Sequence, residues 1–340
     1  MRIGMLTGGG DSSAINAAIR AVVRRGLEGG HTILGFKNGW AGPINGNYAE
    51  MAADSVSGIL PRGGTILGTS RTNPFKMDGA VEQMRENLRL AEIDAMICIG
   101  GDDTLGVAHR INSLDPPIPA VGIPQTIDND INGTDFAIGF QSAVSVATDA
   151  LDKLHTTAES HHRIMVVEVM GRDAGHVALY AGLAGGADTI LVPEHHFNID
   201  EVIDRIKKRR QTGKTFSIIV VAEGAKPEGK QIAFSEKTDA FGHVRLGGIG
   251  EYLAGTIEEK TGLETRFMNL GHLQRGGIAS PFDRFIATEF GVAAVEMVEK
   301  GEFDRMVAIQ CGSVTSVPLE EALTVRLVDE RIFNMAKLFY

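Results

Sequence analysis

The sequence predicts an α/β fold of two lobes with mainly parallel sheets, and three observations carry that expectation. Apolar runs of strand length alternate with helical patterns along the whole chain, the signature of strands joined by crossover helices. At 340 residues the chain is too long for one ordinary core, so two domains are expected. Several apolar runs end in turns rich in glycine and aspartate. Such turns put polar groups at the carboxyl edge of a sheet, where open α/β folds bind their ligands.

Taken in order, the first strand is expected at residues 3–7, followed by the turn Gly8-Gly9-Gly10-Asp11-Ser12. Ser12 or Ser13 can cap a helix running to about residue 25. Residues 95–99 and 120–123 read as further short strands of the first lobe. Each leads into a polar turn, Gly100-Gly101-Asp102-Asp103-Thr104 and Pro124-Gln125-Thr126-Ile127-Asp128-Asn129-Asp130. If the strands are parallel, both turns open at one sheet edge. A helical pattern spans about 142–159, and 164–169 and 216–222 read as central strands of the second lobe. Residues 225–229 and 237–242 look like exposed loops. The piece 271–277 is a glycine-bounded basic turn before another helix, and 306–309 is a late strand. No linker or shift of composition marks a boundary, so the lobes are expected to pack tightly and to exchange segments.

Hydrophobic residues make up 43% and charged residues 22% of the chain, as in ordinary globular proteins. The formal net charge of −10 argues against nonspecific binding to nucleic acid or to an anionic membrane. It leaves room for a small anionic substrate in a locally basic pocket. Cys98 and Cys311 are the only cysteines, which excludes a disulfide framework or a cysteine zinc site. Met1-Arg2-Ile3-Gly4-Met5-Leu6 runs straight into the glycine turn without a signal-peptide pattern. No apolar stretch approaches the roughly 20 residues a spanning helix needs. The expectation is a soluble, cytoplasmic protein, in which the glycosylation pattern Asn132-Gly133-Thr134 is chance.

The turns supply the chemistry. Gly8-Gly9-Gly10-Asp11 lets backbone N–H groups approach a phosphate, although a glycine-rich β–α turn is as often only a tight turn. Gly213-Lys214-Thr215 imitates the end of a nucleotide loop, but Lys208 stands where the upstream glycine is required, so it reads as a plain loop. An isolated Asp-Asp pair is usually a solvated acidic turn. Placed at a strand end after two glycines, Asp102 and Asp103 point instead to a metal role. Asp128 and Asp130 could be turn formers, yet Thr126 beside them makes a carboxylate–hydroxyl cluster able to take a proton. Arg163, Arg172, Arg266 and Arg275, with His272, lie at strand ends or glycine turns, where guanidinium forks grip phosphate. Glu223 could accept a sugar hydroxyl or cap its loop. Together these groups suggest metal-assisted phosphoryl transfer.

Seven ordered blocks resemble the phosphofructokinase family over residues 1 to about 305. They are Leu6-Thr7-Gly8-Gly9-Gly10-Asp11, Gly63-Gly64-Thr65-Ile66-Leu67-Gly68-Thr69-Ser70-Arg71, the turns at 100–104 and 126–130, Glu168-Val169-Met170-Gly171-Arg172, Ala222-Glu223-Gly224 and Gly271-His272-Leu273-Gln274-Arg275-Gly276-Gly277. With the run Thr157-Ala158-Glu159-Ser160-His161, the chain most resembles the actinobacterial branch, which uses pyrophosphate or ATP. The resemblance implies two similar three-layer lobes with the active site in the cleft between them. It implies a donor lobe of residues 1–140 plus about 251–305 and a sugar-phosphate lobe of about 141–250 plus 306–340. The implied reaction phosphorylates the 1-hydroxyl of fructose 6-phosphate in glycolysis.

The same resemblance assigns roles. Asp128 would be the base, with Thr126 and Asp130 positioning the transferring group and Arg172 steadying its charge. Asp102 would hold Mg²⁺. Gly10, Arg71, Asp103, Thr104 and Gln125 would face the donor. Met170, Gly171, Glu223 and Arg163 would line the sugar site, and Arg266, His272 and Arg275 would grip the 6-phosphate. Arg163 and Arg266 would come from a neighbouring subunit, so a homodimer or homotetramer with shared active sites is implied. Arg20, Arg24 and Lys214 match the family's effector pocket, whereas Ala53 and His155 replace arginines there, so weak or absent effector regulation is expected.

The donor is read from two positions. Asp103 stands where ATP-using relatives carry glycine and pyrophosphate-using ones an acidic residue. Like charges about 4 Å apart repel by roughly 4 kcal/mol at an effective dielectric near 20, which disfavours the α-phosphate of ATP about a thousandfold. Gln125 replaces the lysine of pyrophosphate enzymes and the glycine of ATP enzymes, and can donate a hydrogen bond but no charge. Ser12-Ser13-Ala14 also departs from the family's donor-side turn. Pyrophosphate is the expected donor. ATP is the alternative, and a catalytically weak sugar-phosphate-binding paralogue is the reading from another class.

Overall fold

A computed structural model describes residues 1–229 and 248–339; the loop expected at 237–242 lies outside them. In chain order the strands are β1 (Arg2–Thr7), β2 (Thr32–Phe36), β3 (Tyr48–Glu50), β4 (Ala95–Gly100), β5 (Ala120–Thr126), β6 (Ile138–Gly139), β7 (Ile164–Val169), β8 (Thr189–Leu191), β9 (Ser217–Ala222), β10 (Thr265–Asn269), β11 (Arg305–Gln310) and β12 (Ser313–Pro318). The chain divides into two compact units. Unit 1 comprises Met1–Ile127, Ile131–Ser142 and Arg275–Val325; unit 2 comprises, among the described residues, those of Asp128–Asp130, Ala143–Gln274 and Arg326–Tyr340.

Unit 1 is built on an eight-stranded sheet in the order β12-β11-β5-β4-β1-β2-β3, with β6 beside β5. Only the edge strands β3 and β12 run antiparallel to their neighbours. The central strands are apolar on both faces because helices cover both. Ile3, Met5, Ile97, Ile99, Val121 and Ile123 pack under the helices Ile15–Glu28 and Pro281–Lys300. On the other face, Leu6, Leu34, Phe36, Met96 and Cys98 pack against Leu105, Ala108 and Ile111 of the helix Asp102–Asn112.

Unit 2 holds a four-stranded parallel sheet, β10-β7-β9-β8. One face, with Ile164, Val166, Ile219 and Val221, packs on Val202, Ile203 and Ile206 of Ile199–Gln211 and on Leu253 and Ile257 of Ile249–Thr261. The helix His176–Ala184 covers the other, so close that a Cβ on Gly182 would meet Ile190 and Val220. Both units are therefore three-layered, with β7 and β9 central as the sequence predicts.

Several boundaries differ from expectation. The first helix starts at Ile15, and neither serine caps it: Ser13 donates its hydroxyl to the Gly276 carbonyl, and Ser12 is buried. β5 continues to Thr126 because Pro124 pairs with Gly100, and Gln125 and Thr126 pair with Ile138 and Gly139. Residues 225–229 are only partly exposed, since Ala225 and Pro227 are buried and Pro227 bridges Phe197. The unit boundaries differ too. Segment 251–274 belongs to unit 2 because β10 pairs with β7, and 306–325 belongs to unit 1 because β11 pairs with β5. No helix among the described residues is long and apolar enough to cross a membrane.

Candidate active site

In unit 1 the chain leaves β1 for β2 on one side and leaves β4 for β5 on the other, so the strand order reverses between β1 and β4. Such a switch point opens a crevice at the carboxyl ends of the two strands. Both glycine turns lie there. Gly8 donates its N–H to the carbonyl of Ile99, and a Cβ on Gly8 would come within 2.5 Å of the Thr104 hydroxyl. A Cβ on Gly100 would lie 2.6 Å from that of Thr104. Glycine is therefore required at both positions for the turns to approach. Gly9, at φ 81°, bends the backbone into the left-handed region. Its N–H donates to Ser70, and its carbonyl accepts from the Thr69 hydroxyl at 2.7 Å, which holds the loop that ends in Arg71.

Gly101 is the N-cap of the helix Asp102–Asn112, whose first turn carries Asp102 and Asp103. Acidic groups there are favoured by the helix dipole without any ligand. Asp102 is exposed and Asp103 half-buried. No group of three or more His, Cys, Asp or Glu among the described residues is arranged to hold a metal ion by itself. Beside this turn, Gln125 is 1% exposed, and neither its Oε1 nor its Nε2 has a hydrogen-bond partner among the described residues. A buried amide so placed is costly. Ser12 Oγ is likewise buried without a partner among them.

The turn after β5 begins with Thr126, half-buried, and continues through Asp128, Asn129 and Asp130 of unit 2. Asn129 is 2% exposed at φ 53°. Asparagine tolerates this left-handed conformation better than other non-glycine residues, so Asp128 and Asp130 can flank a sharp bend. The Asp130 carbonyl accepts from the Arg326 N–H at 2.7 Å.

In unit 2, parallel pairing of β7 with β9 puts Met170-Gly171-Arg172 beside Glu223-Gly224. Glu223 donates its N–H to Val169, and Gly224 to Gly171. A Cβ on Gly224 would sit 1.9 Å from the Arg172 carbonyl, so only glycine fits this contact. The Arg172 guanidinium pairs with Asp173 at 2.7 Å. Glu168, 1% exposed, accepts from Gly248 N, Gly250 N and Asn269 Nδ2, which joins β7, β10 and the helix Ile249–Thr261. Burial raises its carboxyl above the usual range despite these bonds. The Met170 N–H donates to Gln274 Oε1, at the end of the turn that carries exposed His272.

Arg163 and Arg266, which the resemblance assigns to a neighbouring subunit, and Arg275 make the following contacts within this chain. Arg163 precedes β7 and Arg266 lies near the start of β10; both pair with Glu264. Seven residues of extended chain separate Arg163 from Met170, about 23 Å at 3.3 Å each. These two arginines therefore do not join Met170, Gly171 and Glu223 within one chain. Arg275 belongs to unit 1, where its Nη1 donates to the Asp11 carbonyl at 3.1 Å and its guanidinium lies over Gly10. His155, of the effector-pocket reading, bonds the Gly185 carbonyl and packs edge-on against Phe216. Sequence reasoning missed Thr69 and Glu194 as site supports. Thr69 lies in a glycine turn and Glu194 just beyond β8, and only tertiary hydrogen bonds disclose their role.

Residues 2–298 match the family model described as Phosphofructokinase. The chain is 52% identical over 345 residues to the pyrophosphate–fructose 6-phosphate 1-phosphotransferase of Amycolatopsis mediterranei, covering 100% of both chains. It is 47% identical over 325 residues to ATP-dependent 6-phosphofructokinase 3 of Streptomyces coelicolor, covering 95% of each. Among solved structures, phosphofructokinase from Saccharomyces cerevisiae superimposes with a TM-score of 0.82 at 31% identity. That match covers 99% of this chain and 46% of the yeast chain, so the chain spans just under half of that relative.

Proposed function

The chain belongs to the phosphofructokinase family, and we propose that it moves a phosphoryl group from pyrophosphate to the 1-hydroxyl of fructose 6-phosphate. The products are fructose 1,6-bisphosphate and phosphate. One phosphoanhydride is exchanged for a phosphate ester, and with pyrophosphate as donor we read the step as nearly reversible. We place it in cytoplasmic glycolysis.

The observation that carries the donor assignment is Asp103. Its half-buried carboxylate stands in the first helical turn at the switch-point crevice, where it repels the additional phosphate of a nucleotide. The full-length likeness to a protein named for pyrophosphate supports the same choice. Gly10, Arg71 and Thr104 hold the donor. Exposed Asp102 fits Mg²⁺, which when bound neutralises phosphate charge. Asp128 takes the proton from the sugar hydroxyl, Thr126 and Asp130 orient the transferring group, and Arg172 steadies its charge. Met170, Gly171 and Glu223 line the sugar, and His272 and Arg275 bind the 6-phosphate. A neighbouring copy supplies Arg163 and Arg266, which is consistent with their place at the far end of β7 and β10.

Gln125 favours a second reading, an ATP-dependent enzyme. A neutral amide offers no charge to a leaving phosphate, and similar relatives include proteins named for ATP. The deciding experiment measures initial rates with each donor at matched Mg²⁺. Pyrophosphate should give the higher kcat/KM, and Asp103→Gly should raise ATP use. A preference of the unaltered protein for ATP would sink the Asp103 argument.

A further inference from the structure

The stretch 326–328, beyond the span of the family match, touches both turns to which catalytic roles are assigned. The Arg326 N–H donates to the Asp130 carbonyl at 2.7 Å. The Arg326 carbonyl lies 3.1 Å from Nε2 of His176, which directly follows the Arg172 loop and is 3% exposed. Two residues on, the Val328 N–H donates to Glu194 Oε1 at 3.0 Å. The same carboxylate receives the Gly175 N–H, 3.1 Å from each of its oxygens. One side chain thus clasps the C-terminal segment and the Arg172 loop together. Gly175 permits this because a Cβ there would strike Val192 at 2.5 Å, on the strand end that carries Glu194.

The segment is anchored further along. His195 lies 3.0 Å from Glu330 and stacks on Phe333, ring centroids 4.2 Å apart and 1° from parallel. Phe333 is 4% and Ala336 0% exposed. The short helix Glu330–Ala336 is therefore packed down, and residues 326–328 are held at both ends.

We propose that residues 326–328 form a strap that fixes the Asp128–Asp130 turn relative to the Arg172 loop, with Glu194 and His176 as its positioning residues. The proposal rests on the phosphotransferase reading. Neither side chain touches substrate. Each sets the backbone from which Asp128 and Arg172 act, and a shift of about 1 Å there can cost a hundredfold in rate. The carboxylate of Glu194 suits the clasp because it accepts both N–H groups, whereas an amide would turn a donor towards one of them.

The test compares Glu194→Gln and His176→Gln with the unaltered full-length protein by steady-state kinetics and amide hydrogen exchange. Loosening the strap should lower kcat by 10- to 100-fold while KM for fructose 6-phosphate stays within threefold. Exchange should quicken at 128–130 and 172–175 and remain unchanged in β1, β4 and β5. Unchanged kcat in both variants of an active protein would overturn the strap. So would exchange that quickens everywhere alike. An unaltered protein inert with every donor would instead defeat the phosphotransferase reading, and local exchange would still decide whether the strap exists.

Discussion

At the scale of the residue, the chemistry depends on groups whose surroundings set what they can do. Asp128 stands on a bend that only a residue tolerant of φ 53° allows. Asp128→Asn keeps the shape and removes the proposed base, so kcat should fall by about 10²- to 10⁴-fold with little change in sugar KM. A fall of less than tenfold would reassign the base. His176 gives a pH signature. Burial pushes its imidazole from 6.5 down to about 4, so the folded state holds the ring neutral. Its contribution to stability is then complete above pH 6.5 and lost as pH falls towards 4, on the order of 3 kcal/mol in all. Denaturant midpoints measured from pH 7 to 4 should show a one-proton loss that His176→Gln removes. Glu168 acts in the opposite sense. Its raised carboxyl favours the folded state at low pH, and that stability fades as pH rises through the folded value.

At the scale of the element, each unit presents strand ends brought close by glycines. Gly224 is the sharpest case, because an added methyl would collide with backbone rather than with a flexible tip. Gly224→Ala should cost about 1–3 kcal/mol in unfolding free energy and weaken fructose 6-phosphate binding through the displaced Arg172 loop; unchanged melting and KM would refute the close contact. The elements themselves were largely legible. β1, β4, β5, β7 and β9 read directly because helices cover both faces, which turns each into an unbroken apolar run. The polar turns that follow marked the carboxyl edge. The sheet that a strand joins was not legible. β10 is an edge strand with exposed Arg266, Met268 and Asn269, so its periodicity carries no address. β11 finds β5 across almost two hundred positions. The serines of the first turn misled for a similar reason, since the hydroxyl of Ser13 serves Gly276 rather than the helix.

At the scale of the whole molecule, Arg163 and Arg266 lie too far along their strands to meet Met170 in the same chain, which supports a shared site. Ile278, Phe282 and Phe285 are exposed apolar side chains of unit 1. Asp128→Ser and Arg266→Ala should each be nearly inactive. Mixed in equal amounts and allowed to exchange subunits, they should recover about a quarter of full activity, because half the dimers are mixed and each holds one intact site. No recovery would mean that each chain completes its own site. The anchoring of the Asp130 carbonyl by the Arg326 N–H sets an order of events during synthesis. The aspartate leaves the ribosome almost two hundred residues ahead of the amide that will hold it. At about 5–20 residues per second, that delay is on the order of 10–40 s. During that interval β1 to β5 are already made, while β11, β12 and the amide that seats the turn are still to come. A chain that stops between residues 300 and 325 therefore lacks the amide that holds the Asp130 carbonyl.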